Sequence, residues 1–288
     1  MQGEAGAHAA VSVSPASAPV SGTSGAIIDV AHVEKIFTTI RNDRIHALND
    51  ISLSVGNREF VTVVGPSGCG KSTLLKIVAG LLMASAGKIT VAGRAVLAPR
   101  RDIGIVFQNP VLLPWRTVME NVLLPAEVYG LPLDAAKQRA RDLLHMVGLS
   151  DFENKYPMEL SGGMQQRAAI SRALLSDPSI LLMDEPFGAL DAMTREQMNL
   201  DLQRIWRESG KTVLLITHSI PEAVFLGDRV IVMTARPGRI ARVIEIPFAR
   251  PRPIDVMSEP LFGRLTGDIR KLLYGLGEAS PAPIGGIS

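Results

Sequence analysis

The run Phe60–Val64 is apolar or β-branched throughout and stops at a glycine. It shows no polar alternation, so it reads as a strand buried on both faces, as in a parallel sheet. The next nine residues are Gly65-Pro66-Ser67-Gly68-Cys69-Gly70-Lys71-Ser72-Thr73, and residues 73–82 then carry a helical pattern. The spacing G-x-x-x-x-G-K-[ST] has meaning only between a strand and a helix, and both are here. A buried strand that turns through glycines into a helix commits the chain to α/β packing. The glycines permit positive φ and let backbone N–H groups converge on phosphate oxygens. The following helix points its positive dipole end at the same oxygens. Lys71 can reach β- and γ-phosphates, and Ser72 can ligate Mg²⁺. Cys69 reads as a small filler. Its place near a helix N-terminus is one that lowers a thiol's pKa, so a thiol reagent is expected to block the loop.

Around this unit, residues 27–33 and 51–55 read as strands, 88–91 and 95–97 as a hairpin turning at Ala92-Gly93-Arg94, and 103–107 as a further strand. Pro110, Pro114 and Pro125 then predict loop and short helix. From Leu133 the period changes: Ala136, Ala140, Leu143, Leu144 and Val147 share one helical face, with Gly148 as the C-cap. A helix after Ser161 ends before Asp177-Pro178. Two strand–helix units follow, 180–183 with 194–209 and 213–217 with 221–226, and strands 230–234 and 239–246 close the sheet. The expected fold is α/β, with a mainly parallel core sheet, an antiparallel β part and a helical subdomain inserted at about 110–175. The core domain is expected over 26–250. A C-terminal helical extension over 251–277 carries Leu261, Leu265, Ile269 and Leu272, and residues 1–25 and 278–288 read as disordered tails.

Composition excludes several classes. The formal net charge of +2, from 30 basic and 28 acidic residues, is too balanced for a nucleic-acid surface. The single cysteine forbids an intrachain disulfide and points to a reducing compartment. No run approaches the roughly 18 apolar residues that cross a bilayer, so membrane association is expected to be peripheral. Residues 1–25 have no early Lys or Arg and no compact apolar core, unlike a secretion signal.

A second group of residues fits the phosphate loop. Ile180–Asp184 is an apolar strand ending in the carboxylates Asp184 and Glu185. Asp184 suits the shell of Mg²⁺, and Glu185 can act as general base on water. His218 closes the next strand in the same way, and ligands of a parallel sheet gather at such strand ends. His218 is thereby placed to touch a γ-phosphate. Gln108 follows strand 103–107 and can sense metal or attacking water. The remaining histidines, His8, His32, His46 and His145, have no such context. Leu160-Ser161-Gly162-Gly163-Met164-Gln165 opens a helix with a second glycine segment. Ser161 can cap that helix, whose N–H groups and dipole would then face a phosphate.

Together these residues resemble the ATP-binding-cassette (ABC) ATPases over roughly 27–250. The resemblance implies a P-loop NTPase cassette that uses ATP and Mg²⁺. It implies residues 65–73 as the phosphate loop, Gln108 as the Q-loop and residues 160–165 as the signature. It further implies Asp184 and Glu185 as the acidic pair, Ala189-Leu190-Asp191 as the D-loop and His218 as the switch histidine. Phe37 matches the aromatic residue that stacks on adenine. In this family two cassettes pair head to tail, so Ser161, Gly162 and Gly163 would meet the ATP of a second copy. The chain departs from the family at Met164, where Gln is common, at Phe37, where Tyr is common, and at Arg58, where glycine is usual.

A narrower resemblance, to the nitrate/sulfonate/taurine-type importer ATPases, rests on three stretches: 107–115 with Asn121-Val122, Asp191-Ala192-Met193-Thr194-Arg195, and 234–239. It implies an integral membrane permease as partner, a periplasmic solute-binding protein acting indirectly, and a place on the cytoplasmic face of the inner membrane. Residues 110–127 would receive the permease, with Leu112, Leu113 and Trp115 as the apolar surface. A GTPase reading meets Asn154-Lys155-Tyr156-Pro157, which lacks the Asp of a guanine motif. A DNA-repair cassette would carry a coiled-coil insertion between Lys71 and Ser161, and no heptad run is present.

Overall fold

The computed structural model describes residues 25–275, so the two expected tails lie outside the described residues except for Gly25. Among the described residues, ten strands and seven α-helices form two sheets and a helical subdomain. The central sheet has the order β10 (Ile240–Glu245), β9 (Arg229–Met233), β3 (Phe60–Val64), β8 (Thr212–Ile216), β7 (Ile180–Asp184), β6 (Ile103–Val106). Its four pairings inward from β9 are parallel, and only β10 runs antiparallel, on the edge.

Both faces of this sheet are covered, which explains the unbroken apolar strands. Phe60, Val64, Leu181, Met183, Val213 and Leu215 bury toward the main helical side. Val61, Val63, Leu182, Leu214 and Ile216 bury on the other face, beneath α1 (Lys71–Val78) and the second sheet. That second sheet is antiparallel, in the order β2 (Arg44–Gly56), β1 (Ala26–Thr38), β4 (Ala86–Val91), β5 (Arg94–Ala95). The fold class read from the sequence is therefore the observed one.

The differences lie in extent. β1 and β2 each span 13 residues, far beyond 27–33 and 51–55. Bulges break their alternation, with His32 and Asp50 at positive φ and their side chains paired at 2.8 Å. The hairpin turns at Ala92 and Gly93, both at positive φ, and β5 stops at Ala95, leaving Leu97 in solvent. α1 ends at Val78 rather than at 82, because Gly80 turns left-handed with its Cα directly against the Ala98 carbonyl. Arg58 adopts φ 59°, the region where glycine costs least, which gives a physical reason for the family's glycine there.

The subdomain consists of α2 (Val118–Tyr129), α3 (Leu133–Met146) and α4 (Gly162–Leu174). Pro125 lies inside α2 rather than punctuating a loop; a full capping box at Thr117 and Glu120 holds the helix start. α3 buries the expected face, and Gly148 follows it at φ 72°. α5 (Ala192–Ser209), α6 (Ile220–Leu226) and α7 (Pro260–Gly275) complete the helices. Phe262, Leu265 and Ile269 of α7 bury in the same cluster as Phe60 and α6. Arg252, 1% exposed, donates to the carbonyls of Val224, Phe225 and Gly227 at the end of α6. No helix among the described residues is long and apolar enough to cross a membrane.

Candidate active site

Residues just past the carboxyl ends of β3, β6, β7 and β9 line one cleft of about 410 Å³, and His218, past the end of β8, reaches it through Glu185. The floor of the cleft is the glycine loop. Gly70 caps α1 at φ 100°, and a Cβ there would lie 2.6 Å from Leu48 and 2.9 Å from the Ala47 carbonyl. No other residue satisfies both the dihedral and the space. Lys71 is buried beneath the loop, with Nζ donating to the carbonyls of Gly65 (2.9 Å) and Pro66 (3.0 Å). Its ammonium therefore sits at the loop's centre, and Ser67, Gly68, Ser72 and Thr73 line the cleft around it.

Cys69 departs from one expectation. Its side chain is wholly buried, under Gly65, and burial raises the thiol's pKa more than the nearby Lys71 lowers it. The helix start does not activate it. The full chain is expected to keep its ATPase activity through treatment with a maleimide at neutral pH, with the modified mass appearing only on denaturation. Rapid native labelling at Cys69 would contradict this burial.

At the β7 end, the Ser72 hydroxyl donates to Asp184 at 2.9 Å. Burial, then the Glu185 charge, raises the Asp184 pKa against the pull of Ser72, Lys76 and Lys71. A carboxylate in that position gains from a cation. Ser72, Asp184 and Gln108 line the same cleft and offer hydroxyl, carboxylate and amide oxygens. Among the described residues no three His, Cys, Asp or Glu side chains converge as a metal cage. The donor set thus fits Mg²⁺, which keeps waters and phosphate oxygens in its shell and needs few carboxylates.

Glu185 sits at φ 47°, with its N–H bound to the Ile216 carbonyl at 2.8 Å. That left-handed turn sends its side chain away from β7, and its Oε2 lies 3.1 Å from His218 Nδ1. Phe37 and Ile45 form the opposite wall, with Lys35 Nζ 5.0 Å from the Phe37 ring centre. An exposed aromatic edge beside a phosphate loop suits a stacked base.

Ser161 and Gly162 are exposed and do not line this cleft. The Ser161 hydroxyl accepts from Met164 N at 3.3 Å and caps α4, while Gly163 packs against Thr194. Asp191 caps α5, accepting from Thr194 N at 3.0 Å, and also stands outside the cleft. Four residues of the site escaped the sequence reading: Ile45, Ala47 and Arg236, which line the cleft, and Gly188 beside it. Arg236 lines the cleft and donates to the Gly68 carbonyl at 3.3 Å. Gly188 lies where a Cβ would come 3.2 Å from Gln108 Nε2 and 3.5 Å from His218 Cε1. The signs of Arg236 were its place just past a strand end and in the 234–239 stretch. Nothing local marked Gly188.

In a parallel sheet, a glycine cradle facing two carboxylates and a histidine serves the cleavage of a nucleoside triphosphate, and the class is that of the P-loop triphosphatases. The profile of the ABC transporter family matches residues 48–188. A taurine import ATP-binding protein, TauB, of Rhizobium johnstonii is 46% identical over 253 residues, covering 86% of this chain and 97% of that protein. A bicarbonate transport ATP-binding protein, CmpD, of Synechocystis sp. is 41% identical over 264 residues, covering 90% of this chain and 93% of its own. A dimeric ATP-binding cassette solved in a post-hydrolysis state with ADP and Pi superposes with a TM-score of 0.67 at 34% identity, over 77% of this chain and 100% of that one. The chain belongs to the ABC transporter family of ATP-binding proteins and is an ABC-type ATPase.

Proposed function

We propose that this chain is the ATP-hydrolysing subunit of an importer, in which two copies pair head to tail on a membrane permease. The observation that carries the pairing is the position of Ser161: a capped, exposed helix N-terminus with no part in its own cleft. Such an end binds anions through free N–H groups and the helix dipole, so it suits the γ-phosphate in the cleft of a second copy. Asp191, also exposed beside its helix start, belongs to the same contact.

Within each cleft, Phe37 stacks on adenine and residues 65–73 wrap the phosphates. Lys71 places its charge on the β- and γ-phosphates. Ser72, Asp184 and Gln108 would hold Mg²⁺, which offsets the charge of the phosphate oxygens when bound. Glu185 accepts a proton from the attacking water, and His218 steadies Glu185 and contacts the γ-phosphate. Preorganised groups of this kind need no rearrangement at the moment of reaction.

The permease would meet residues 110–127. Trp115 is 70% exposed and Val111 58%, whereas Leu112 packs inward on the core. The loop beneath them is held at several points. Asn121, wholly buried, bonds both the N–H and the carbonyl of Leu113 and the carbonyls of Arg116 and Thr117. Arg172 of α4 donates to the carbonyls of Pro110 and Val111. The helix that carries Ser161 is thereby tied to the permease surface. The relatives' names, taurine and bicarbonate, suggest a small polar solute delivered by a periplasmic binding protein. The chain itself would lie peripherally on the cytoplasmic face of the inner membrane.

Ser161→Arg tests the pairing. ATP binding to the isolated chain is expected to stay within about threefold of the parent, while turnover falls by about 100-fold or more, as for removal of a group that stabilises the transition state. Loss of monomer binding would place Ser161 in its own cleft and end the head-to-tail reading.

A further inference from the structure

Two cationic side chains line the cleft, Lys71 and Arg236, and of the two only Lys71 belongs to the glycine loop. Arg236 follows β9, which lies directly beside β3 in the central sheet. Asp184 and Glu185 stand at the end of β7, two strands from β3 on the other side. The arginine and the acidic pair therefore reach the glycine loop from opposite flanks. Arg236 comes in beside the base wall instead. The Gly238 N–H is bound to the Ala47 carbonyl at 3.0 Å, and the Asn49 N–H to the Gly238 carbonyl at 2.9 Å. Ala47 and Ile45 line the cleft together with Phe37.

The segment that carries Arg236 is closed on itself. The Thr234 N–H is bound to the Arg239 carbonyl at 2.9 Å, and the Arg239 N–H to the Thr234 hydroxyl at 2.9 Å. That hydroxyl donates in turn to the Pro237 carbonyl at 3.2 Å. From this turn the guanidinium lies against the middle of the glycine loop. Its Nη2 donates to the Gly68 carbonyl at 3.3 Å and would stand 3.6 Å from a Cβ on Gly68. The N–H of the same peptide, on Cys69, is bound to the Pro66 carbonyl at 3.3 Å.

The bond to Gly68 uses one of the five donors of a guanidinium. Among the described residues no carboxylate forms an ion pair with Arg236, whereas Arg229, at the start of the same strand, is paired with Glu59. A guanidinium with free donors suits phosphate oxygens, which it takes in charge-assisted pairs. We propose that Arg236 is a nucleotide-binding residue whose guanidinium grips the α- and β-phosphates. Phe37 marks the base end of the cleft, and Asp184 with Glu185 marks the end where the γ-phosphate is cut. The α- and β-phosphates lie between the two, on the flank from which Arg236 enters. The inference rests on the reading of residues 65–73 as the phosphate loop of this cleft. Arg236 then holds ATP and ADP alike. A contact made equally before and during cleavage sets affinity and leaves the chemical step alone.

The test titrates ATP and ADP onto the full chain and onto Arg236→Ala, Arg236→Gln and Arg236→Lys, with Mg²⁺ withheld so that nothing is hydrolysed. Ala is expected to weaken both nucleotides by about fivefold or more and by similar factors. With Mg²⁺ restored, KM should rise while kcat stays within about twofold. Lys keeps the charge and should recover most of the affinity. Gln can still donate to the Gly68 carbonyl but carries no charge, so it should bind as poorly as Ala. The loss in Ala should shrink as salt is raised to about 0.5 M. Arg236 is exposed, so melting without nucleotide should move by no more than about 2 °C in any variant.

Recovery by Gln as complete as by Lys would reduce Arg236 to a clamp on the loop and overturn the proposal. Affinities in Ala within twofold of the parent would do the same, and so would a loss confined to ATP, which would put the contact on the γ-phosphate. Lys71→Ala, measured alongside, separates the two readings. If it binds ATP as the parent does, the phosphate-loop reading fails and takes the proposal with it. If it loses affinity while Arg236→Ala does not, only the contact of Arg236 is refuted.

Discussion

Replacing Glu185 with Gln is expected to lower ATP turnover by about 10²–10⁴-fold, the usual worth of a general base. The change removes one negative charge and alters almost no shape. Asp184 keeps its bond from Ser72, and Lys71 keeps its two carbonyls. ATP affinity should hold or rise, because a carboxylate next to the γ-phosphate is lost. The trapped complex is expected to run as a closed dimer on size exclusion with ATP, and the wild type as a monomer after turnover. Near-normal hydrolysis would show that another group activates water. The pairing of Glu185 with His218 makes a second outcome readable: His218→Ala should also reduce kcat, and the double variant should lose less than the product of the two single losses.

The other large effect is expected at Gly238, outside the loop it supports. A Cβ on Gly238 would lie 2.0 Å from the Cys69 carbonyl oxygen. Retreat is blocked from the other side, because the Gly238 N–H is bound to Ala47 and its carbonyl to the N–H of Asn49, each within about 3 Å. The strain must pass into the phosphate loop, between Gly68 and Gly70. Gly238→Ala is expected to weaken ATP binding by about 10–100-fold and to cost about 2–4 kcal/mol of stability. Fluorescent-nucleotide titration and thermal melting measure the two effects. Gly263→Ala is the control, since its Cβ meets nothing within 4 Å. Equal effects of the two substitutions would show that the contact with Cys69 is not what matters.

The parts of the fold that could be read from the sequence were the ones whose signals are local. Phe60–Val64, the glycine spacing and the α1 start lie within a dozen positions, and the structure shows the strand, loop and helix in that order. The face of α3 was equally plain, because its five apolar positions meet one partner surface. β1 and β2 were read short because the bulges at His32 and Asp50 shift the alternation midway, and no pattern of period two survives that. Pairing order was beyond reach, since β3 lies between β8 and β9, about 150 positions later. The same holds for the site. Lys71, Asp184, Glu185 and Gln108 announce themselves at strand ends, and the cleft brings them together. Gly188 matters through what surrounds it, and its surroundings, Gln108 and His218, come from separate segments. Cys69 was placed correctly in the loop, but its burial depends on Gly65 and on the distant Gly238 strap.

The Arg252 clamp sets a limit for anyone who wishes to transplant this cassette. The family profile ends at residue 188, and a cut after the last strand looks natural on the page. A graft that stopped at Arg250 would strand the carbonyls of Val224, Phe225 and Gly227 in the interior, at about 1–3 kcal/mol for each one left unpaired. It would also free Gln203, whose amide grips both the N–H and the carbonyl of Arg252. The portable unit therefore reaches at least to Ile269, the last wholly buried residue of α7. What looks like an appendix in the sequence is the keystone of the helix behind His218.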